Sequence, residues 1–133
     1  MLLLLLLDVE QALAQKDSST VRLTLRGHYD GARISRGQRD EEDVIRTLKS
    51  QERFILACLQ AACAELKLSD AKGTLQLRLL IQPDGYASDV QILRAPLPIN
   101  AIQECIQKIF SRSHFRKVRE NDDQQILIEY TIE

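Results

Sequence analysis

The order of apolar patterns along the chain predicts an α+β fold, with two helices packed on one face of a small antiparallel sheet. Residues 21–26 and 75–81 alternate apolar and polar side chains, as half-buried strands do. Between them, residues 44–66 repeat apolar side chains every three or four positions, which indicates an amphipathic helix. A hairpin strand, a second helix and a last strand follow, so the predicted order is β-α-β-β-α-β.

The first helix is expected to follow a polar, glycine-containing loop at residues 27–39. Asp40 is a suitable N-cap, and the acidic residues after it suit the positive end of the helix dipole. The apolar stripe predicts one continuous helix to about Lys67. The arginines that precede the helix are followed by acids, so we expect a solvated surface there: Arg22, Arg26, Arg33, Arg36 and Arg39.

A β-hairpin is predicted around Pro83, Asp84 and Gly85. Proline presets φ, aspartate tolerates the turn conformation, and glycine can take the left-handed position that a bulged hairpin requires. Asn100 and Gln103 have the spacing of a capping box, which would open the second helix. The apolar face predicted for this helix consists of Ile102, Cys105, Ile106 and Ile109, and that of the last strand of Ile126, Ile128, Tyr130 and Ile132.

Length and charge limit the function classes. The chain has 133 residues, which fits one domain, and its 18 basic residues nearly balance 19 acidic ones. A nearly neutral chain without an aromatic-basic patch gives no reason to expect nucleic-acid binding. We also expect no enzyme, cofactor or metal site, because Asp84 and Asp89 are explained by the hairpin and no catalytic motif is present.

The N-terminal segment, residues 1–19, is treated apart from the domain at residues 20–133. Six consecutive leucines are too few to span a bilayer, which takes about 20 apolar residues. Ala12-Leu13-Ala14 is a small-x-small pattern of the kind that signal peptidase cuts after. We therefore expect a signal peptide or the remnant of a membrane anchor from a longer precursor, the alternative being a short cytosolic helix.

Three cysteines pose the question of a site: Cys58, Cys63 and Cys105. A zinc site would need four ligands, and His28 and His114 lack the paired spacing of such a site. Helical phase directs all three thiols toward the core, which argues against a reactive nucleophile. Buried free thiols and a disulfide between the helices both remain, and phase does not choose between Cys58 and Cys63 as the partner of Cys105.

The cysteines and the hairpin together resemble a known family. An Ile-x-x-Cys-Leu segment at residues 55–59 precedes a Gly-x-Leu-x-Leu hairpin that ends in Pro-Asp-Gly at residues 73–85, and a Cys-Ile pair follows at residues 105–106. Over residues 33–133 the chain resembles the C-terminal domain of the TonB superfamily, and more closely its AgmX/PglI subfamily of cell-envelope proteins. The resemblance implies that Cys58 and Cys105 are paired and that Cys63 is free.

The resemblance also implies a function. It suggests a non-enzymatic, periplasmic protein-interaction module of a bacterial envelope or transport system, either exported or membrane-anchored. Segments of outer-membrane or periplasmic proteins would add as an extra β-strand (β-augmentation) along the last strand, whose residues are Gln124, Ile126, Ile128, Tyr130 and Ile132. The alternative function is a cytosolic α+β adaptor with reduced, buried cysteines.

The sequence does not identify the partner. It also leaves the oligomeric state open, and a homodimer is one of the possibilities. The first strand could lie on either edge of the sheet. We expect it beside the hairpin strand at residues 86–93, because that arrangement leaves the last strand available to a partner. If it pairs with the last strand instead, it covers the expected binding edge, and the free protein would be self-capped.

Overall fold

The computed structural model describes residues 22–119 and 121–133, so the segment 1–19 lies outside the described residues. The described chain confirms the α+β fold, with a five-stranded antiparallel sheet. Its strands are β1 (Leu25–Gly27), β2 (Arg33–Ile34), β3 (Gly73–Ile81), β4 (Ala87–Arg94) and β5 (Gln124–Ile132). The α-helices are α1 (Glu41–Ser50), α2 (Glu52–Leu66) and α3 (Gln103–Arg112).

The strand order corrects our expectation for the first strand. The sheet runs β1-β5-β3-β4, and β2 also pairs with β5 on the side away from β3. The first strand therefore lies along the last strand and not beside β4. The reason is that residues 27–39 are not a free loop. A 3₁₀ turn at Tyr29–Gly31 and the strand β2 keep this segment on the edge of β5.

Among the residues that the structure describes, the helices cover one face of the sheet and leave the other face open. The alternate residues of β3 from Leu75 to Ile81 are fully buried, as are those of β5 from Ile126 to Ile132. The intervening residues of both strands are exposed or half-buried, among them Gln76 and Glu129. This alternation is expected of an antiparallel sheet with one solvated face.

The predicted long helix is divided at Gln51. The backbone N–H of Gln51 donates to the carbonyl of Leu48 at 3.1 Å, and α2 starts at the next residue. Buried residues on α1 (Val44 and Leu48) and on α2 (Ile55 and Leu59) keep both helices against the same core. The second part ends where the sequence predicts, because Lys67 takes a left-handed C-cap conformation with φ of 55°.

The hairpin turn has the geometry that its sequence predicts. Gly85 has a φ of 96°, a value that favours glycine. The N–H of Gly85 donates to the Gln82 carbonyl at 2.9 Å, and a carboxylate oxygen of Asp84 accepts from the N–H of Tyr86 at 3.1 Å. The turn is also packed from outside, because the N–H of Phe115 donates to the Gly85 carbonyl at 2.9 Å.

The predicted capping box of the second helix is wrong. A 3₁₀ turn at Ile99–Ala101 contains Asn100, and α3 begins only at Gln103. The residue at the N-cap position is Ile102, and no side chain caps the helix there. The backbone of the 3₁₀ turn forms its own hydrogen bond before the helix begins, in which the N–H of Ala101 donates to the Pro98 carbonyl at 3.0 Å. Gln103 is thereby free to bond elsewhere.

Candidate functional site

The predicted binding edge on β5 is not an open edge, which corrects that assignment. β5 lies between β3 on one side and β1 with β2 on the other. Carbonyls along β5 and at the residue after it accept backbone N–H groups of the N-terminal segment. The N–H of Thr24 donates to the carbonyl of Glu133 at 2.7 Å, that of His28 to Glu129 at 2.9 Å and that of Ser35 to Gln125 at 2.9 Å. The predicted edge residues Gln124, Ile126, Ile128, Tyr130 and Ile132 are all buried.

Tyr29 anchors the segment that covers β5. Its ring meets the ring of Tyr130 edge-on, with centroids 6.2 Å apart, and its hydroxyl donates to a carboxylate oxygen of Glu52 at 2.8 Å. The Nζ of Lys49 lies 5.4 Å from the centre of the Tyr29 ring. Burial is the largest cause that raises the pKa of both phenols, and the nearby Glu52 carboxylate raises both further. The covering segment is therefore tied to α1, α2 and β5 at once.

Arg39 anchors the other end of the same segment, and it corrects the prediction of a wholly solvated arginine cluster. Its side chain is only 5% exposed. Its guanidinium donates to the carbonyl of Gln82 at 2.8 Å, to the carbonyl of Arg116 at 2.6 Å and to the side-chain oxygen of Gln124 at 3.1 Å. A planar group with five donors suits such a junction, which joins the hairpin, the α3–β5 loop and β5.

The outer edge of β4 is open among the residues that the structure describes. β4 pairs with β3 on one side, and no described strand pairs with it on the other. Its pairing with β3 shifts register near each end, once beside Ser88 and once beside Leu93. The side-chain amide of Gln103 donates to the carbonyl of Val90 at 3.2 Å. The backbone of Val90 therefore points outward, toward the open edge.

The structure joins Cys58 and Cys105 in a disulfide with an S–S distance of 2.00 Å, which links α2 to α3. This is the pairing that the resemblance implies. Cys63 is free and 1% exposed, and burial, with a smaller contribution from Asp70, raises the pKa of its thiol. Cys105 differs from our expectation, because it is exposed rather than directed into the core. The buried face of α3 is formed instead by Ile106 and Phe110.

An apolar groove of about 540 Å³ lies over this disulfide, between the first half of α2 and the second half of α3. Phe54 and Ala57 line it from α2, and Ile109 lines it from α3. Lys108 and Arg112 stand at its α3 side. Nothing in the alternation of apolar residues predicted this groove, because it depends on the distance between two helices that are remote in sequence.

The two histidines, His28 and His114, contact different residues. His28 bonds through Nε2 to the hydroxyl of Thr131, and the ring of His114 lies 5.1 Å from that of Tyr86. Within residues 22–119 and 121–133, no group of three or more histidine, cysteine or acidic side chains could hold a metal ion. In the same part of the chain, no helix has the length and apolar character needed to cross a membrane.

Sequence reasoning missed the contacts of two residues, Gln103 at the edge of β4 and Arg39 in the segment that covers β5. Gln103 has the spacing of a capping box but bonds the edge strand, and only the position of α3 over β4 could reveal that. Arg39 stands in a polar loop among other arginines and carries no sequence signal of burial. The β4 edge offers backbone groups for hydrogen bonding, and the groove offers an apolar surface beside cations. No protein-family model, curated protein or solved structure matches this chain.

Proposed function

We propose that this protein is a non-enzymatic interaction module of a bacterial cell envelope, located in the periplasm, which binds an extended partner segment by strand addition to β4. The observation that carries the proposal is the outer edge of β4, which is eight residues long and unpaired within the described residues. Exposed N–H and C=O groups on such an edge can accept a partner strand.

A comparison of the two outer edges of the sheet favours β4. The opposite edge is formed by β1 and β2, which are three and two residues long and are separated by a 3₁₀ turn. Both carry an exposed arginine, Arg26 and Arg33, and short, charged, interrupted edges are poor acceptors for another strand. β4, with eight residues, is the longer strand.

The edge of β4 is suited to a short segment. Its register shifts near Ser88 and Leu93 bend the strand at both ends, which leaves residues 89–92 as the regular part. In that part Gln103 already bonds the Val90 carbonyl. An incoming N–H group would replace this bond with one of similar strength, so the exchange costs little in enthalpy. Gln103 in this account covers the edge until a partner arrives.

The disulfide supports the proposed compartment. Disulfides form and persist in oxidising environments such as the periplasm, whereas cytosolic thiols are kept reduced. A bridge between these two helices, α2 and α3, is also what the resemblance to TonB C-terminal domains implies. Counting free thiols in protein taken from its native compartment tests this part. One free thiol supports the proposal, and three would favour the cytosolic adaptor.

The binding edge is tested by affinity capture from chemically crosslinked cells. Val90→Pro removes the outward N–H of β4 without removing a bond between β3 and β4. Val90→Ala is the matched control, because it disturbs the same buried side chain and keeps the donor. We expect Val90→Pro to lose the captured partner and Val90→Ala to retain it. Equal capture by both variants, each shown to be folded by its thermal transition, would reject the β4 edge as the site.

A further inference from the structure

The groove over the disulfide is a second surface that the proposed strand addition does not use. Its volume of about 540 Å³ is within the range of ligand-binding clefts, roughly 300–1,000 Å³. Its lining includes both cysteines of the disulfide, so its floor is fixed by a covalent bond between the two helices. A groove with a rigid floor binds with less loss of conformational entropy than one that must first be ordered.

The lining of the groove is apolar and exposed. Phe54 is 44% exposed, although it is one of the few large aromatic side chains in the protein. Ala57 and Cys105 beside it are also exposed, so the groove is open to water along its length. Aromatic residues in such positions commonly anchor protein–protein contacts. When a partner's apolar side chains cover an exposed apolar strip between two helices, the free energy of the complex is lowered.

The charges around the groove are mainly positive. Lys108 makes an exposed ion pair with Glu104 at 3.4 Å. Arg112 makes no ion pair with another described residue. The guanidinium of Arg53 lies 4.7 Å from the centre of the Phe54 ring, which adds a further cation at the α2 side. The described residues that line the groove include two cations, Lys108 and Arg112, and no acid, which favours a ligand that brings carboxylates to the rim.

We propose that this groove binds a short protein segment that carries apolar side chains together with acidic ones. The apolar side chains would cover Phe54, Ala57 and the disulfide, and the carboxylates would reach Arg112 and Lys108. An acyl chain of a lipid fits less well, because the open groove would leave much of the chain in water. The site is separate from the β4 edge and does not depend on it.

The test uses fluorescence anisotropy with three synthetic peptides of about three helical turns. The first carries leucines at helical spacing with glutamates between them, the second has lysines in place of the glutamates, and the third has serines in place of the leucines. We expect the oxidised wild-type protein to bind the first peptide at least about fivefold more tightly than either of the others.

Two variants locate the binding. Arg112→Glu should weaken the glutamate peptide by about fivefold or more and strengthen the lysine peptide. Lys72→Glu is the matched control, because it makes the same change of net charge at an exposed position outside the groove lining. Ala57→Arg should abolish binding because the larger side chain fills the groove. The substitution adds a positive charge, so a loss of binding to the glutamate peptide could not result from weaker electrostatic attraction. Arg112→Glu, at an exposed helix end, serves as the second variant if Ala57→Arg lowers stability.

Several results would overturn the proposal. Equal binding of the glutamate and lysine peptides would mean that the groove does not select by charge. Equal losses of affinity for the glutamate peptide in Arg112→Glu and Lys72→Glu would mean that the charge acts at long range and not at the groove. Binding of phosphatidylglycerol vesicles that is sensitive to Ala57→Arg, without peptide binding, would make the groove a lipid site. Val90→Pro should leave peptide binding unchanged, which separates this proposal from the one for β4.

Discussion

The side-chain amide of Gln103, on the first turn of α3, donates to the carbonyl oxygen of Val90 at 3.2 Å and so covers the middle of the open edge of β4. This contact connects the packing of a helix with the availability of a sheet edge. An uncovered edge strand readily pairs with another chain, and proteins commonly block it with bulges or side chains. β4 carries both features.

Replacing Gln103 should therefore increase strand addition. In Gln103→Leu the Val90 carbonyl loses its partner, which should lower the free energy of unfolding by about 1 kcal/mol. We expect stronger capture of the partner segment in the crosslinking experiment. Without a partner, we expect self-association through β4 at high protein concentration, measured as a larger molar mass by light scattering after size-exclusion chromatography. Gln107→Leu is the control, because Gln107 is an exposed glutamine of the same helix. No change in capture or association would mean that the bond does not cover a binding edge.

The disulfide should contribute a large part of the stability. It joins residues 47 positions apart, and the loop-entropy relation gives roughly 3–4 kcal/mol for a bridge of this span. We expect reduction, or the double change Cys58→Ala and Cys105→Ala, to lower the urea midpoint markedly. Cys63→Ala should keep the bridge and show a smaller loss. Peptide mapping without reduction that found a Cys63–Cys105 link would contradict the pairing.

Gly85 should tolerate no side chain. Its φ of 96° disfavours other residues, and an added Cβ would lie 2.2 Å from the carbonyl oxygen of Phe115. We expect Gly85→Val to lower the free energy of unfolding by more than about 2 kcal/mol, since strain and a steric clash act together. Gly31→Ala is the control, because an added Cβ there meets no atom within 4 Å. Equal melting temperatures for Gly85→Val and wild type would refute this account of the turn.

Alkaline pH should weaken the core around Tyr130. Burial raises the pKa of this phenol above its ordinary value of about 10, so the folded protein holds a proton that the unfolded chain releases. Stability is therefore fully present below about pH 10 and falls as the pH rises further. In urea titrations between about pH 8 and pH 11, Tyr130→Phe should show a shallower decline than wild type. Parallel declines would mean that Tyr130 does not titrate with unfolding.

The sequence predicted those features that depend on local pattern. The alternation of Leu75 to Ile81, the left-handed Gly85 and the end of α2 at Lys67 follow from side-chain period and backbone preference. The position of the first strand did not follow, because β2 is two residues long and gives no periodic signal. It is this strand, with the 3₁₀ turn at Tyr29–Gly31, that fixes the N-terminal segment along β5.

The candidate surfaces were less predictable than the fold. The residues of β5 were correctly placed in a strand, but whether its edge was open depended on where a remote segment lies. The pairing of Cys58 with Cys105 came from a resemblance, because helical phase alone left two choices. The exposure of Cys105 and the burial of Arg39 depend on tertiary contacts that no local pattern encodes.

The central claim, that a partner strand adds to β4 and not to β5, is tested most directly by amide hydrogen exchange. The amide of Val90 points away from β3, so it should exchange rapidly in the free protein and become protected in the complex with the captured partner segment. The outward amides of β5, such as that of Thr131, should keep the same protection in both states, because β1 already covers them. New protection at Val90 with none lost along β1 is the predicted result. Unchanged exchange at Val90, with loss of protection along β1 on partner binding, would show that the partner displaces the N-terminal segment from β5 and would contradict the account.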